Sequence, residues 1–561
     1  MKTAFAAVLA LAVAAASMEG AEDRKFYPDD PLRADRALVD VPEKPAELEL
    51  SDMFDALSHT FRDLGKSPIG SEASDVNTLD EVLDGPWFVN RHGTKRMSLE
   101  ELVRGPNEGT PPSAPSEDAK WVVFRSKTQG ITPGFDIRDP SGNRYVIKLD
   151  PVEVPELASA AEVISTKIFH AIGYHVPENY IVRVHPDNFV IEEGTLTEDS
   201  FGDKRALTPF RFRRSLRLVP RLPDGRIRVV ASKYVDGIPI GHRRYYGTRT
   251  DDPNDVVPHE DRREQRGLRL FSAWLNHDDT RAQNTIDSWV PSDQDPGTHH
   301  VRHYLLDFGS TLGSGSVKIQ NEFFAYHYWL EPDLIVDNML GFGFHVPEYR
   351  KVKWPELAKH QAVGRFESER FDPVTWKGNY PNPAFQRMTA RDAFWAAKIL
   401  MKFTRDELEA IVETGEYSDP GNARLLLEVL LERQKKCGRF GINGINPLAE
   451  FRLENGALVF KNLSEEYGFG GAGTSYQIQW FAYDNDTGSR RELSSPASQR
   501  ETRSRLPSSP TGGELLVAEI RSTHPDFPHW RSPIGVYLRA AGSQQEIVGI
   551  DRESREGSRS P

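Results

Sequence analysis

The sequence predicts an α+β protein in which a strand-rich half and a helix-rich half form two lobes, followed by an all-β sandwich. Three observations carry this expectation. Between residues 119 and 238, short alternating apolar and polar runs are broken by glycine-, proline- and Asp-containing turns, the pattern of half-buried strands. Between 391 and 435 the apolar residues recur at helical spacing, over Arg391–Lys402, Arg405–Thr414 and Asn422–Lys435. From Leu448 onward short strands return, the clearest being Tyr476–Tyr483, Glu514–Ile520, Ile534–Arg539 and Glu546–Ile550.

The strand-rich half opens with the β-prone run Trp121-Val122-Val123-Phe124-Arg125. The loop Lys127–Gly134 follows, with glycines at Gly130 and Gly134, and then Phe135–Arg138, the turn Asp139-Pro140-Ser141-Gly142, and Arg144–Leu149, which carries Lys148 near its end. A helix is expected next. Pro155 suits its first turn, Gly173 its stop, and Leu157, Ala161, Ile164, Ile168 and Ile172 form its apolar stripe. Glu156 would sit in the first turn, where a carboxylate complements the helix dipole. Glu162 lies beside the stripe and is the candidate partner for a lysine. Two more strands, Tyr180–Val184 and Arg226–Val235, complete the half, the second ending at Asp236-Gly237.

The chemistry is concentrated in two segments. One reads His277-Asp278-Asp279-Thr280-Arg281-Ala282-Gln283-Asn284, an H-x-D with Asn five residues after the second aspartate. The other, His303-Tyr304-Leu305-Leu306-Asp307-Phe308-Gly309, is an apolar strand running into D-F-G. Phosphoryl transfer needs such parts in this order: a carboxylate to accept or steer a hydroxyl proton, then an Asn and a second carboxylate to hold metal ions against the phosphates. A second chemistry shares these residues, because His277, Asp279 and His303 would suit zinc or iron if a hairpin brought them together.

The ordered set resembles the atypical members of the protein-kinase-like superfamily, the HipA-, CotH-, secretory-pathway- and phosphatidylinositol-kinase-like enzymes, over roughly residues 119–440. The resemblance implies a two-lobed protein-kinase-like fold that uses ATP with Mg²⁺ or Mn²⁺. It makes Lys148 the phosphate lysine, Glu162 its helix partner and Asp279 the catalytic acid/base. Arg281 takes the place of the catalytic-loop lysine, and Asn284 and Asp307 become the metal ligands. Gly130 and Gly134 belong to the phosphate loop, and Tyr234 to the hinge that binds the base, with Ile131 and Val146 as apolar neighbours. The chain departs from ordinary kinases in three ways: its loop is G-x-x-x-G, it has no A-P-E element, and nothing after Gly309 reads as an activation loop. Three function classes follow: a kinase acting on a protein, glycan or small molecule, another nucleotide-dependent transferase on the same fold, and a pseudokinase that serves as a binding or structural module.

Composition sets the frame around these motifs. A chain of 561 residues with 38% apolar content is long enough for about three domains. A net charge of −13 argues against a bulk nucleic-acid or anionic-membrane binder. A local exception is the run Arg211, Arg213, Arg214, Arg217, Arg221, Arg226 and Arg228 around Pro223-Asp224-Gly225, which reads as the polar face of a helix or hairpin or as an anion-docking patch. Lys2, the apolar run Ala4–Ala16 and the Ala14-x-Ala16 site read as a secretory signal peptide over 1–16, implying a periplasmic or secreted protein. No later segment has the length of a transmembrane helix. With Cys437 alone, no intramolecular disulfide can form. The expected divisions are an extended acidic linker at 17–50, an N-terminal extension and linker at 51–118, the two lobes at 119–238 and 239–445, and a disordered tail at 553–561. Residues 446–552 are expected to form a self-contained immunoglobulin- or fibronectin-like sandwich. Asp484-Asn485-Asp486 lacks the spacing of a calcium loop and reads as a hairpin turn.

Overall fold

The computed structural model of the chain describes residues 25–27, 38–61, 71–108, 114–126, 134–198, 204–293, 295–331, 348–354, 359–508, 510, 513–541 and 544–552. The expected signal peptide, the glycine-loop residues Gly130 and Ile131, and the tail at 553–561 lie outside them. The alternating runs of the strand-rich half form β1 (Trp121–Ser126), β2 (Gly134–Arg138), β3 (Arg144–Leu149), β4 (Asn179–Val184), β5 (Phe189–Ile191), the hairpin β6 (Leu196–Glu198) and β7 (Lys204–Ala206), and β8 (Ile227–Lys233). Six of these make one sheet in the order β4-β8-β3-β2-β1-β5. Only the β1–β5 pair is parallel.

The principal helices are α1 (Asp52–Phe61), α2 (Leu99–Arg104), α3 (Leu157–Ile172), α4 (Pro209–Ser215), α5 (Arg263–Leu275), α6 (Ala390–Leu400), α7 (Arg405–Glu413) and α8 (Pro420–Asn443). Alternation along the strands sends Phe135, Ile137, Tyr145 and Ile147 to one face, where Phe212 of α4 and Leu216 close a first core. The other face looks toward α3. That helix starts later than its sequence implies. Pro155 precedes it, and Glu156 is its N-cap residue at φ 69°, so the Glu156 carboxylate leaves the first turn and accepts from the Ser418 N–H at 3.0 Å. Gly173 ends the helix at φ 141°, where an added Cβ would lie 2.3 Å from the Phe88 ring.

The second half is built on α5, which is buried on every side except at Arg269. Its two fully buried arginines are paired with carboxylates. Arg263, fully buried, donates to Asp80 at 2.6 Å and to Asp392 at 3.2 Å, while Arg266 reaches Asp261 at 2.6 Å. Around α5 pack α6, α7 and α8, with Trp274, Phe394, Trp395, Leu408, Leu426 and Leu430 in the shared core. β9 (Ile238–Pro239), β10 (Thr285–Pro291) and β11 (His299–Leu305) form a three-stranded sheet in the order β11-β10-β9.

The extension at 51–118 packs on both halves. Lys167 of α3 donates to the Val103 carbonyl. Phe88 meets Trp395 at 5.3 Å, and Trp87 stacks on His303 at 3.6 Å with the Arg262 guanidinium 4.5 Å from its ring.

The C-terminal strands are β12 (Leu448–Glu454), β13 (Ala457–Asn462), β14 (Ser475–Tyr483), β15 (Arg490–Glu492), β16 (Ala497–Gln499), β17 (Arg503–Arg505), β18 (Leu515–Thr523), β19 (Ile534–Ala541) and β20 (Gln544–Arg552). They form a β12-β13-β17 sheet and a β15-β14-β18-β19-β20 sheet, with β16 also on β14. Leu458 and Phe460 of the first share a core with Ile478, Trp480, Ile520 and Val536 of the second. Asp484 caps the β14–β15 turn by accepting from the N–H groups of Asp486 and Thr487. This β region is docked to the rest of the chain: Arg552 reaches Asp80 at 3.2 Å, Ile550 N–H donates to the Thr78 carbonyl at 2.8 Å, and Phe26 inserts beside Tyr483, Val517 and Tyr537. No helix among the described residues is long and apolar enough to cross a membrane.

His303 makes the fold acid-sensitive. Its Nδ1–H donates to Asp287 at 2.7 Å, and burial, opposed by that carboxylate, pushes its pKa down to about 4. The unfolded chain therefore takes up this proton first, near pH 6.5. The stabilisation is complete above that pH and is lost as pH falls toward 4. His303→Gln should flatten the fall in melting temperature between pH 6.5 and 4; a slope identical to the parent's would remove His303 as its source.

Candidate active site

The site forms where β3, α3, the loop after α5 and the end of the β10–β11 hairpin meet. On β3 the alternation that buries Ile147 in the first core turns Lys148 toward α3. Its ammonium lies 2.8 Å from Glu162 Oε1 and 2.9 Å from Asp307 Oδ1. Burial alone would lower the Lys148 pKa; the Asp307 and Glu162 carboxylates outweigh it and hold it above the ordinary lysine value. Glu162 is 1% exposed, and Asn179 holds it in place by donating to Oε1 at 3.2 Å and to Thr166 at 2.7 Å.

The hairpin register brings together the chain segments that carry the expected metal ligands. Thr285 pairs with Leu305, so the strand ends bring Asn284 next to Leu306, whose N–H donates to the Asn284 carbonyl at 2.8 Å. Asp307 then turns through φ 60°, a left-handed conformation that Asp tolerates better than most residues. Phe308 is fully buried, stacked on Phe169 of α3 at 5.0 Å and against His277 at 5.6 Å. Gly309 lets this turn pass close to α3, since a Cβ there would lie 3.0 Å from Ser316 Oγ and 3.3 Å from Glu162 Oε2.

The loop after α5 separates the two adjacent aspartates. Asn276 ends the helix at φ 54° and donates to Gln320 Oε1 at 2.7 Å, and Gln320 in turn donates to Asp278. Asp278 is buried and its pKa is raised well above the ordinary carboxylate value, first by burial and then by the Asp279 charge. Asp279 faces the site. Its carbonyl accepts from Asn284 Nδ2 at 2.7 Å, and its carboxylate accepts from Asn379 at 3.0 Å and from Arg281 Nη2 at 2.9 Å. Arg281 also pairs with Asp52 at the start of α1. His277 is enclosed, its pKa pushed down to about 4 by burial.

The structure thus gathers Lys148, Glu162, Asp307, Asn284, Asp279 and Arg281, and sets Gly134 opposite Lys148 across β2 and β3. Tyr234 lies just past β8 with its hydroxyl donating to Asp136 of β2 at 2.6 Å and accepting from Arg125 of β1 at 2.9 Å, so its phenol ties neighbouring strands of the sheet. The zinc or iron set does not assemble: His277 packs on aromatic rings, His303 is committed to Asp287, and no group of three or more His, Cys, Asp or Glu suited to a metal occurs among the described residues. Sequence reasoning missed Asn179, Gln320, Asn379 and Asp52. These are polar residues at a strand start, in loops or at a helix start, with no spacing signal.

No protein-family model matches the chain, and no curated protein matches it. Among solved structures, the crystal structure of the golgi casein kinase is similar at 9% identity, covering 75% of this chain and 94% of that one with a TM-score of 0.28. At so low a score the likeness carries no argument about this chain.

Removing the ammonium strands a buried carboxylate. Lys148→Met should lower unfolding free energy by roughly 3 kcal/mol, and adding Glu162→Gln should recover part of the loss. Strictly additive losses in denaturant titrations would show that the pair is not coupled.

Proposed function

We propose that this chain is an atypical kinase that transfers the γ-phosphoryl group of ATP to a hydroxyl acceptor. The observation that carries this reading is the Lys148 ammonium held between Glu162 of α3 and Asp307 at the hairpin end, with Asp279 and Asn284 on the loop entering that hairpin. Asp279 would orient the acceptor hydroxyl and take its proton as the oxygen attacks the γ-phosphorus and the bond to the β-phosphate oxygen breaks, releasing ADP. Lys148 would pair with the α/β-phosphates, and Arg281 would lie close to the transferring group.

The donors fit Mg²⁺ or Mn²⁺. Asp307 and Asn284 offer hard oxygen ligands, and Glu162 Oε2, buried beside the same turn, has no hydrogen-bond partner among the described residues. A metal bound there would neutralise the phosphate oxygens. The acceptor class, protein, glycan or small molecule, belongs to the reading as an open set. We assign the chain to the periplasm or the secreted fraction on the apolar run Ala4–Ala16.

ATP with Mg²⁺ or Mn²⁺ should raise the melting temperature. Asp307→Asn should abolish the metal-dependent part. Asp279→Asn should keep the shift while lowering turnover of labelled ATP by roughly 10²–10⁴. No shift with either metal at millimolar nucleotide would leave a pseudokinase, and an inactive Asp278→Asn beside an active Asp279→Asn would reverse the assignment of the two aspartates.

A further inference from the structure

The arginine run has a defined place in the fold, outside the site just described. α4 covers the outer face of the first sheet, opposite α3, with Leu216 and Phe212 buried there and the Phe212 ring 4.9 Å from Phe135 and 5.4 Å from Phe189. This spacing turns Arg211, Arg213, Arg214 and Arg217 to solvent, and Arg221 follows, also exposed. Among the described residues, none of these five forms an ion pair. The guanidinium groups of Arg211 and Arg221 donate to backbone carbonyls, those of Ala206, Gly225 and Leu216. From Leu207 to Pro223 the chain contains no Asp or Glu, although the whole protein carries a net charge of −13. Arg226 and Arg228 do not belong to this surface: Arg226 pairs with Asp224 and Glu117, and Arg228 is buried against Ser159 and the Gly415 and Glu416 carbonyls.

An apolar component sits within the same surface. Phe210, on the first turn of α4, is 72% exposed. Leu196, 49% exposed, pairs across β6 and β7 with Ala206, the residue whose carbonyl accepts from Arg211. Unpaired arginines around an exposed phenylalanine match an interface that is anionic at its surface and apolar just beneath it. We propose that this face docks the protein on an anionic lipid surface, with Phe210 entering the headgroup boundary and the arginines meeting lipid phosphates. A soluble acidic polypeptide would use the arginines but would give the exposed Phe210 nothing to enter.

Flotation of the full chain with phosphatidylcholine vesicles, with and without phosphatidylglycerol, tests this. The run Ala4–Ala16 is common to all variants, so differences between variants isolate the face. The parent should favour the anionic vesicles, with binding that weakens as salt is raised. The triple variant R213Q/R214Q/R217Q should lose roughly tenfold to a hundredfold in partitioning. F210S should lose several-fold, with its salt dependence retained. All four side chains are exposed, so circular dichroism and melting temperature should match the parent's. Triple-variant binding equal to the parent's overturns the proposal. Parent binding to soluble poly-glutamate that F210S leaves unchanged, without selective binding to anionic vesicles, also overturns it and assigns the face to an acidic polypeptide.

Discussion

The position of one ammonium group organises the centre of this protein. Lys148 lies on a strand, Glu162 on a helix and Asp307 at the end of a hairpin, and the three meet only if the sheet, α3 and the helical body are all in place. A buried charge with one partner missing costs several kcal/mol, so the cluster tolerates little displacement of any of the three elements. Phe308 reinforces the arrangement by filling the space between Phe169 of α3 and His277 of the loop. The turn that carries Asp307 is thereby tied to the helix that carries Glu162 by apolar packing as well as by charge.

The same economy governs the two adjacent aspartates. Their carboxylates are one residue apart in sequence yet differ in environment, because the loop turns one inward to Gln320 and the other outward to Asn379 and Arg281. Burial raises the pKa of Asp278 and removes it from contact with solvent. The division of labour is therefore made by the backbone path from Asn276, with its left-handed turn, and by Gln320, which bridges Asn276 to Asp278.

Much of the site was legible from residue order. Lys148, Glu162, Asp279, Asn284 and Asp307 each sit in a segment whose local pattern, alternating strand, helical stripe or strand ending in a turn, is carried by near neighbours. α5 was not legible, because Arg263, Glu264 and Arg266 are fully buried there and erase the contrast between an apolar and a polar face. Asn379 was illegible for another reason. It reaches Asp279 from a turn about a hundred residues downstream, and its neighbours Lys377-Gly378-Asn379-Tyr380-Pro381 look like any loop. The docking of the β region was also hidden, since its strand pattern reads as self-contained and nothing in the sequence links Arg552 to Asp80.

That last contact bears on the order in which the chain can become native. Asp80 is met by Arg263, Arg391 and Arg552, residues drawn from nearly the whole length of the polypeptide. Contacts of such separation carry a large loop-closure cost and form late. A chain emerging from its N-terminus presents this carboxylate long before its last cation exists. Completion of β20 is thus the event that finishes the interior of the extension about 470 residues upstream, and a nascent chain short of that strand has an unfinished junction between the extension and the β region.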